Sequence, residues 1–441
     1  MKISSIQTIG IRFVVLYMAI QLLPLDGQFF KNLFDWSGDS VAYAFTRWLF
    51  NLSRYAPSFF GSTATFTNWA VVALLAGIGT LIWAQRSPNP AADERVYAWV
   101  RVAVRYRLAW AVIAYGFLKL FPIQAPLPSL SSLNTAYGDH SAWKLFSLSL
   151  GVVPGYQAFL GGVEVLGGLL LLHRKTTAIG TLILLPFLGN VFFSNLAYEG
   201  GEYIYSGLLL TFGLFLFGHD AARLFRLVSL ERPARPNQEP AALSTIPRAA
   251  RYGLKGAFLG LVVGVYGFTT AFTPRAIRYP QTPGLRAEGV LGLYRVETFK
   301  QDGQVIPYAK MHPGRWQDVV FEPWNTLSIR SNRPVTIHHV STEELPAGAA
   351  QSDHELAGSQ GRLYYRYTTD VARTQLLLQN ANPHHATDRL RLRLTRAANN
   401  RLTLQGTDSE GHRVEATLVK VNKKYLQHEA AKAGRRGSLT L

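Results

Sequence analysis

The chain has 441 residues, 48% of them hydrophobic and many aromatic, with no cysteine and a net charge of +18. Without cysteine, disulfide frameworks, thiolate catalysis, zinc–thiolate sites, iron–sulfur clusters and a lipoprotein anchor are excluded. The positive charge does not indicate a nucleic-acid partner. Lys and Arg outnumber Asp and Glu by 21 to 12 before Arg275 and by 24 to 15 from there on; much of the first excess lies between apolar runs, and no nucleic-acid motif accompanies it.

Repeated apolar runs of 17–22 residues occupy positions 8–274, the length a hydrocarbon core of about 30 Å requires. They predict about seven transmembrane helices, near 8–25, 66–84, 104–121, 155–172, 177–198, 203–218 and 252–272. The first run, Ile9 to Leu25, has no small-x-small cleavage site and reads as a retained helix. The stretch Val41–Tyr55 is shorter and amphipathic, which suits an interfacial helix. The implied domains are 1–100 (N-terminal membrane helices with the interfacial helix), 101–228 (a membrane core) and 229–251 (a cytoplasmic linker holding Pro233, Pro236, Pro240 and Pro247). A seventh transmembrane helix at 252–274, a β-domain at 285–425 and a basic tail at 426–441 follow.

Every second loop is basic. Arg86, Arg95, Arg101, Arg105 and Arg107 follow the second run, His173-Arg174-Lys175 the fourth, and Arg223, Arg226, Arg232, Arg235, Arg248 and Arg251 the sixth. By contrast 122–154 holds only Lys144, and 199–202 has no cation. The positive-inside rule then predicts a cytoplasmic N-terminus and an outside C-terminal domain, periplasmic in a bacterial inner membrane. In the seventh run Gly256, Gly260 and Gly264 form a small-residue stripe, suited to a homo-oligomer contact, while the plainer role of that helix is to tether the domain beyond it.

From Gly289 the pattern turns to period two. Leu291–Phe299, Arg362–Tyr367, Gln375–Leu378, Arg389–Leu394, Arg401–Leu404 and Arg413–Val419 alternate, with turn signals at Gln301–Gln304, Asn399-Asn400 and Ser409–Gly411. These predict an all-β antiparallel meander of about eight strands, as a barrel or a sandwich. Leu390, Leu392 and Leu394 would face inward and Arg389, Arg391 and Arg393 outward, as a solvated face or one for anions and lipid headgroups. The run Gly289–Phe299, with Gly292 and Tyr294 in Gly-x-aromatic positions, resembles the opening strand of lipocalin-type barrels. Such a barrel either holds a small apolar ligand or is filled by its own side chains.

Among the apolar runs, Glu164 is the most informative polar residue. A carboxylate at the centre of a span costs roughly 2.5–3.5 kcal/mol and faces a partner, a cavity or a substrate path. Lys119, near the outer end of the third span, is its natural counter-charge, against the alternative of snorkelling to the interface. Asn190 and Asn195 fall in the same half of the bilayer, with Asp139 and Tyr198 in the loops above. Together they suggest a polar pocket opening outward; the plainer alternatives are interhelical hydrogen bonds for the asparagines and a neutral packing role for Glu164. Gly161, Gly162, Gly167 and Gly168 permit close helix approach or make room for a flat ligand. The adjacent pairs His338-His339 and His384-His385 point to opposite strand faces, and no metal site is expected.

Residues 104–226 resemble the DoxX-like family of bacterial membrane proteins through Tyr106–Ala109, Tyr115–Pro122 with Gln124, Tyr137–Asp139, Gly155–Phe159 with Gly162 and Glu164, and Arg174–Gly180. Asn190, Asn195, Tyr198, Asp220 and Arg223-Leu224 continue it. The added helices and β-domain look like longer members from Bacteroidetes-type bacteria. The resemblance implies a four-helix membrane core and a redox link, since some relatives form the membrane subunit of a thiosulfate:quinone oxidoreductase and others join oxidative-stress complexes. A distant relation to vitamin K-dependent carboxylase membrane domains is also implied. The expectation is a helical membrane bundle with a β-domain, binding a quinone-like or lipid ligand at Glu164, Lys119, Asn190, Asn195, Tyr115, Asp139 and Tyr198, with Glu164 the candidate proton-exchanging group. The competing expectation is a membrane scaffold whose β-domain binds an envelope partner.

Overall fold

Long apolar runs become helices where the hydrophobic pattern places them. In chain order they are α1 (Ser5–Leu22), α2 (Gly27–Phe34), α3 (Val41–Ser53), α4 (Phe66–Arg86), α5 (Pro90–Leu120), α6 (Leu130–Leu133), α7 (Ala142–Val152), α8 (Pro154–Leu171), α9 (Thr177–Ala197), α10 (Tyr203–Val228), α11 (Arg248–Phe272) and α12 (Leu426–Ala433). The computed structural model describes the chain apart from residues 1–4, 26, 37–39, 61–64, 87–89, 235–246, 276, 287, 340–344, 347–351, 398–399 and 434–441. Most of the expected linker at 229–251, the turn residue Asn399 and the end of the basic tail therefore lie outside the described residues. Two units form: residues 1–124 with 155–273, and residues 125–154 with 274–441.

In the helical unit, α4, α9, α10 and α11 are long and apolar enough to cross a membrane. The bundle core is built from side chains such as Leu108, Ile113, Leu118 and Phe212, all fully buried. The 31-residue α5 is the most polar of the long helices, and several of its charges are matched from neighbours. Asp93 pairs with Arg12 at 2.7 Å, and Arg101 with Asp220 at 3.3 Å. Arg107 donates to the Tyr55 carbonyl at 2.8 Å and lies over the Tyr55 ring. Helix α3, expected at the interface, is capped by Ser40 and buries Tyr43, Leu49 and Phe50 within the bundle. In α11, Leu259–Val265 winds as a π-type stretch. Among the described residues, nothing outside the local helix backbone lies within 4 Å of the position a Cβ would take at Gly256 or Gly260, whereas Gly267 meets the Phe117 ring.

In the second unit, strands β1 (Gly292–Gln301), β2 (Gln304–Val305), β3 (Asp318–Phe321), β4 (Thr326–Arg330), β5 (Arg362–Thr369), β6 (Gln375–Asn380), β7 (Arg389–Ala397), β8 (Arg401–Thr407) and β9 (Arg413–Lys420) form one antiparallel meander. It closes through β1–β9 pairing from Tyr294↔Lys420 to Gln301↔Val414 into an eight-stranded barrel, with β2 hairpinned onto β1. The β1–β2 turn uses Asp302 and Gly303, both at positive φ, where a short polar residue and glycine carry little steric penalty. Alternation sets the interior: Leu390, Leu392 and Leu394 are buried, while Arg389, Arg391 and Arg393 are exposed. Phe299, Phe321, Tyr365, Leu376 and Leu404 fill the same core, so the barrel interior is packed with its own side chains.

Residues 125–154, expected as a loop of the membrane core, instead carry α6 and α7 and belong to the barrel unit. Ser129 caps α6 by accepting from the Ser132 amide, and Ser141 caps α7 by accepting from the Lys144 amide.

Candidate functional site

The helical site begins with two glycines. A Cβ on Gly161 of α8 would stand 2.3 Å from the Leu120 amide nitrogen and 2.4 Å from the Gly116 carbonyl oxygen. Helices α5 and α8 therefore touch backbone to backbone. Lys119 lies three residues after Gly116 and Glu164 three after Gly161, so each charge emerges on the contact face one turn on. The Lys119 Nζ donates to Glu164 Oε1 at 2.6 Å. Both side chains are buried, so Lys119 turns inward and does not snorkel. The ammonium also sits 5.5 Å from the centre of the Phe187 ring on α9, a cation–π arrangement.

Glu164 Oε2 is buried and has no hydrogen-bond partner among the described residues. Buried carboxylate oxygens are normally bonded, so this lone pair is the uncommitted chemistry of the site. Gly167 and Gly168 are closed off by Leu184 and by Val112 and Ile113, whereas Gly162 faces open space.

The other expected site residues separate from this pair. Tyr115, one turn before Lys119 on α5, packs edge-on against Phe50 at 5.0 Å and beside Tyr205 at 6.0 Å. It thereby joins a neighbouring cluster with the Arg54–Glu202 ion pair. Asn195 is buried, donating to the Val191 carbonyl of its own helix at 2.9 Å, and its Oδ1 lacks a partner among the described residues. It lies eight residues beyond Phe187, roughly 12 Å along α9. Asn190 is exposed on α9 and Tyr198 is exposed at its end. Asp139 belongs to the barrel unit, where its carbonyl accepts from the Gln360 amide. The pocket expected from the sequence thus reduces to Lys119 and Glu164 with Phe187. The Phe187 contact had no sequence signal, whereas the matching glycine-to-charge spacing on α5 could have been read.

A second polar cluster, unanticipated from sequence, joins residues 125–154 to the barrel. Glu322 Oε1 accepts from the Ser131 amide and hydroxyl, each at 2.6 Å, and its Oε2 accepts from the Leu130 amide at 3.3 Å. Arg362 bridges Ser328 at 3.1 Å, Asp318 at 2.6 Å and the Asn134 carbonyl at 3.2 Å. Lys144 donates to the His354 carbonyl. Glu355 accepts from Trp324 Nε1 at 2.8 Å and bonds the Thr326 hydroxyl at 2.9 Å. The signal was Lys144 itself, a single cation in a 33-residue stretch otherwise without one. Among the described residues no three His, Asp or Glu side chains converge as metal ligands.

Burial, with Glu322 nearby, pushes the Glu355 carboxyl up to about 8. The folded chain therefore holds a proton that the unfolded chain releases near its ordinary 4.5. Stability from this group is full below about 4.5 and is lost as pH rises through about 8. His354, pushed down by burial, tilts the curve the opposite way below its ordinary range. The difference between wild type and Glu355→Gln isolates the carboxyl, since glutamine mimics the protonated acid. Between pH 5 and pH 8 the thermal midpoint of the wild type, measured on the full chain in detergent, should fall relative to that of the Gln variant.

Comparison with protein-family models, curated proteins and solved structures finds no match for this chain.

Proposed function

We propose that the chain is a multi-pass protein of a bacterial inner membrane, similar to DoxX-like proteins, whose Lys119–Glu164 centre binds a quinone-like or lipid ligand bearing a hydroxyl donor. The observation that carries this reading is Glu164 Oε2, buried without a donor among the described residues while Oε1 is held by Lys119. A ligand hydroxyl supplies the missing hydrogen bond. In a redox setting the carboxylate exchanges a proton with a quinol, and a partner protein carries the electrons.

Parity supports the topology. Residues 125–154 and 274–441 share one unit, so an even number of crossings separates them. Helices α9, α10 and α11 are three candidate crossings; in this reading α8 is the fourth and carries Glu164 within the bilayer. With α1, α4 and α5 also crossing, the N-terminus is cytoplasmic and the barrel unit periplasmic, in agreement with the basic loops.

The ultraviolet spectrum of ligand extracted from the purified protein tests this reading. A quinone chromophore should accompany the wild type and be depleted at least tenfold in Glu164→Gln and in Lys119→Ala. Undiminished quinone in both variants would sink the proposal.

A second reading is a membrane scaffold whose β-domain holds an envelope partner. The filled barrel favours it, because such a domain offers a surface and not a lumen. The open stripe at Gly256 and Gly260 leaves room for the helix of a second copy.

A further inference from the structure

Strand β7 displays Arg389, Arg391 and Arg393 on the outer face of the barrel, at steps of about 6.8 Å. Arg413 on β9 extends the row sideways, because Thr407 lies opposite both Arg391 and Arg413. The positions between and beside them are uncharged: Gln375, Leu377 and Gln379 on β6, and Thr403, Gln405 and Thr407 on β8. None of the four guanidinium groups forms an ion pair among the described residues. At the margin Glu415 pairs with Lys300, Asp388 with Arg333, and Asp408 and Glu410 with His412, while the Asp302 carboxylate accepts from the Arg413 backbone amide.

Two apolar side chains project from this basic field. Leu377, directly opposite Arg391, is 55% exposed. Val371, at the β5–β6 turn that borders Gln375, is fully exposed. A soluble polyanion would gain nothing from them. A lipid surface uses both features, phosphates for the arginines and the interfacial layer for the apolar tips. Guanidinium forks also bind phosphate in bidentate fashion.

We infer that the β6–β8 face of the barrel, with Arg389, Arg391, Arg393 and Arg413, docks on a membrane surface rich in anionic phospholipid. The cations of this face are unspent, so docking requires no ion pair of the barrel to be broken. It is independent of any ligand at Glu164.

The test is flotation of the full-length chain, held in phosphatidylcholine nanodiscs, with added vesicles. Wild type should float with vesicles containing phosphatidylglycerol, not with pure phosphatidylcholine, and should be released by high salt. At roughly fivefold per cation, Arg389→Gln/Arg391→Gln/Arg393→Gln should weaken partitioning about a hundredfold. The corresponding triple lysine variant should retain most of it, and Leu377→Ser should weaken it severalfold. Equal flotation of wild type and the glutamine variant, or no response to phosphatidylglycerol, overturns the inference. Tight binding of soluble polyphosphate that is indifferent to Leu377 also overturns it, in favour of an aqueous polyanion.

Discussion

Replacing Gly161 with valine will pry α5 from α8 and dissolve the Lys119–Glu164 pair. The atoms a side chain would strike are the Leu120 nitrogen, the Gly116 oxygen and the Lys119 carbonyl carbon, at 2.3, 2.4 and 2.8 Å. All three are backbone and cannot rotate away. Overpacking typically costs about 1–3 kcal/mol where side chains can yield, and here whole helices must shift. Once they separate, two charges desolvated by burial lose each other, and breaking such a pair costs about 3–5 kcal/mol. The measurement is a double-mutant cycle with Lys119→Met and Glu164→Leu, read from thermal stability in detergent. The two changes should couple strongly in the wild-type background and be additive beside Gly161→Val. Gly116→Ala should be milder, since its closest obstacle at 2.8 Å is a Val165 methyl.

The second large effect is expected at Glu322. Its carboxylate satisfies the Leu130 and Ser131 amides at the start of α6 together with the Ser131 hydroxyl. It is 1% exposed, so water cannot replace it. Glu322→Ala strands both amides, while the Ser131 hydroxyl keeps the Ser328 hydroxyl at 2.7 Å, and should cost about 3–5 kcal/mol, as when one member of a buried charged network is removed. Hydrogen exchange at the Ser131 amide reports the site directly. Its protection should collapse in Glu322→Ala and survive in part in Glu322→Gln, which keeps one acceptor oxygen. Unchanged protection in the alanine variant would mean that residues 125–154 are held by other contacts.

Much of this molecule was legible before folding was considered. Apolar runs marked the helices because length and hydropathy are local properties, and Arg389–Leu394 declared its buried face by strict alternation. Lys119 and Glu164 could be paired because two lone charges at similar depth in apolar helices have few other recourses. Asn190 failed for a reason of helical phase. It lies five residues before Asn195, about 500° of rotation at 3.6 residues per turn, so the two side chains diverge by about 140° and cannot share one wall. Residues 125–154 were illegible for a different reason. Their partners, Glu322 and His354, lie about 200 positions away in sequence, and a nearly uncharged segment between apolar runs resembles a loop until those partners are known.

The division of the barrel unit into two stretches carries a consequence for biosynthesis. Ser131 leaves the ribosome 191 residues before Glu322, an interval of roughly 10–40 s at ordinary elongation rates. During that time α6, α7 and Lys144 wait without their partners while four further helices are made. The barrel, whose last strand closes on its first, completes only once β9 has been made. A nascent-chain arrest before β9 should therefore yield a protein with its helices formed and residues 125–154 open to protease.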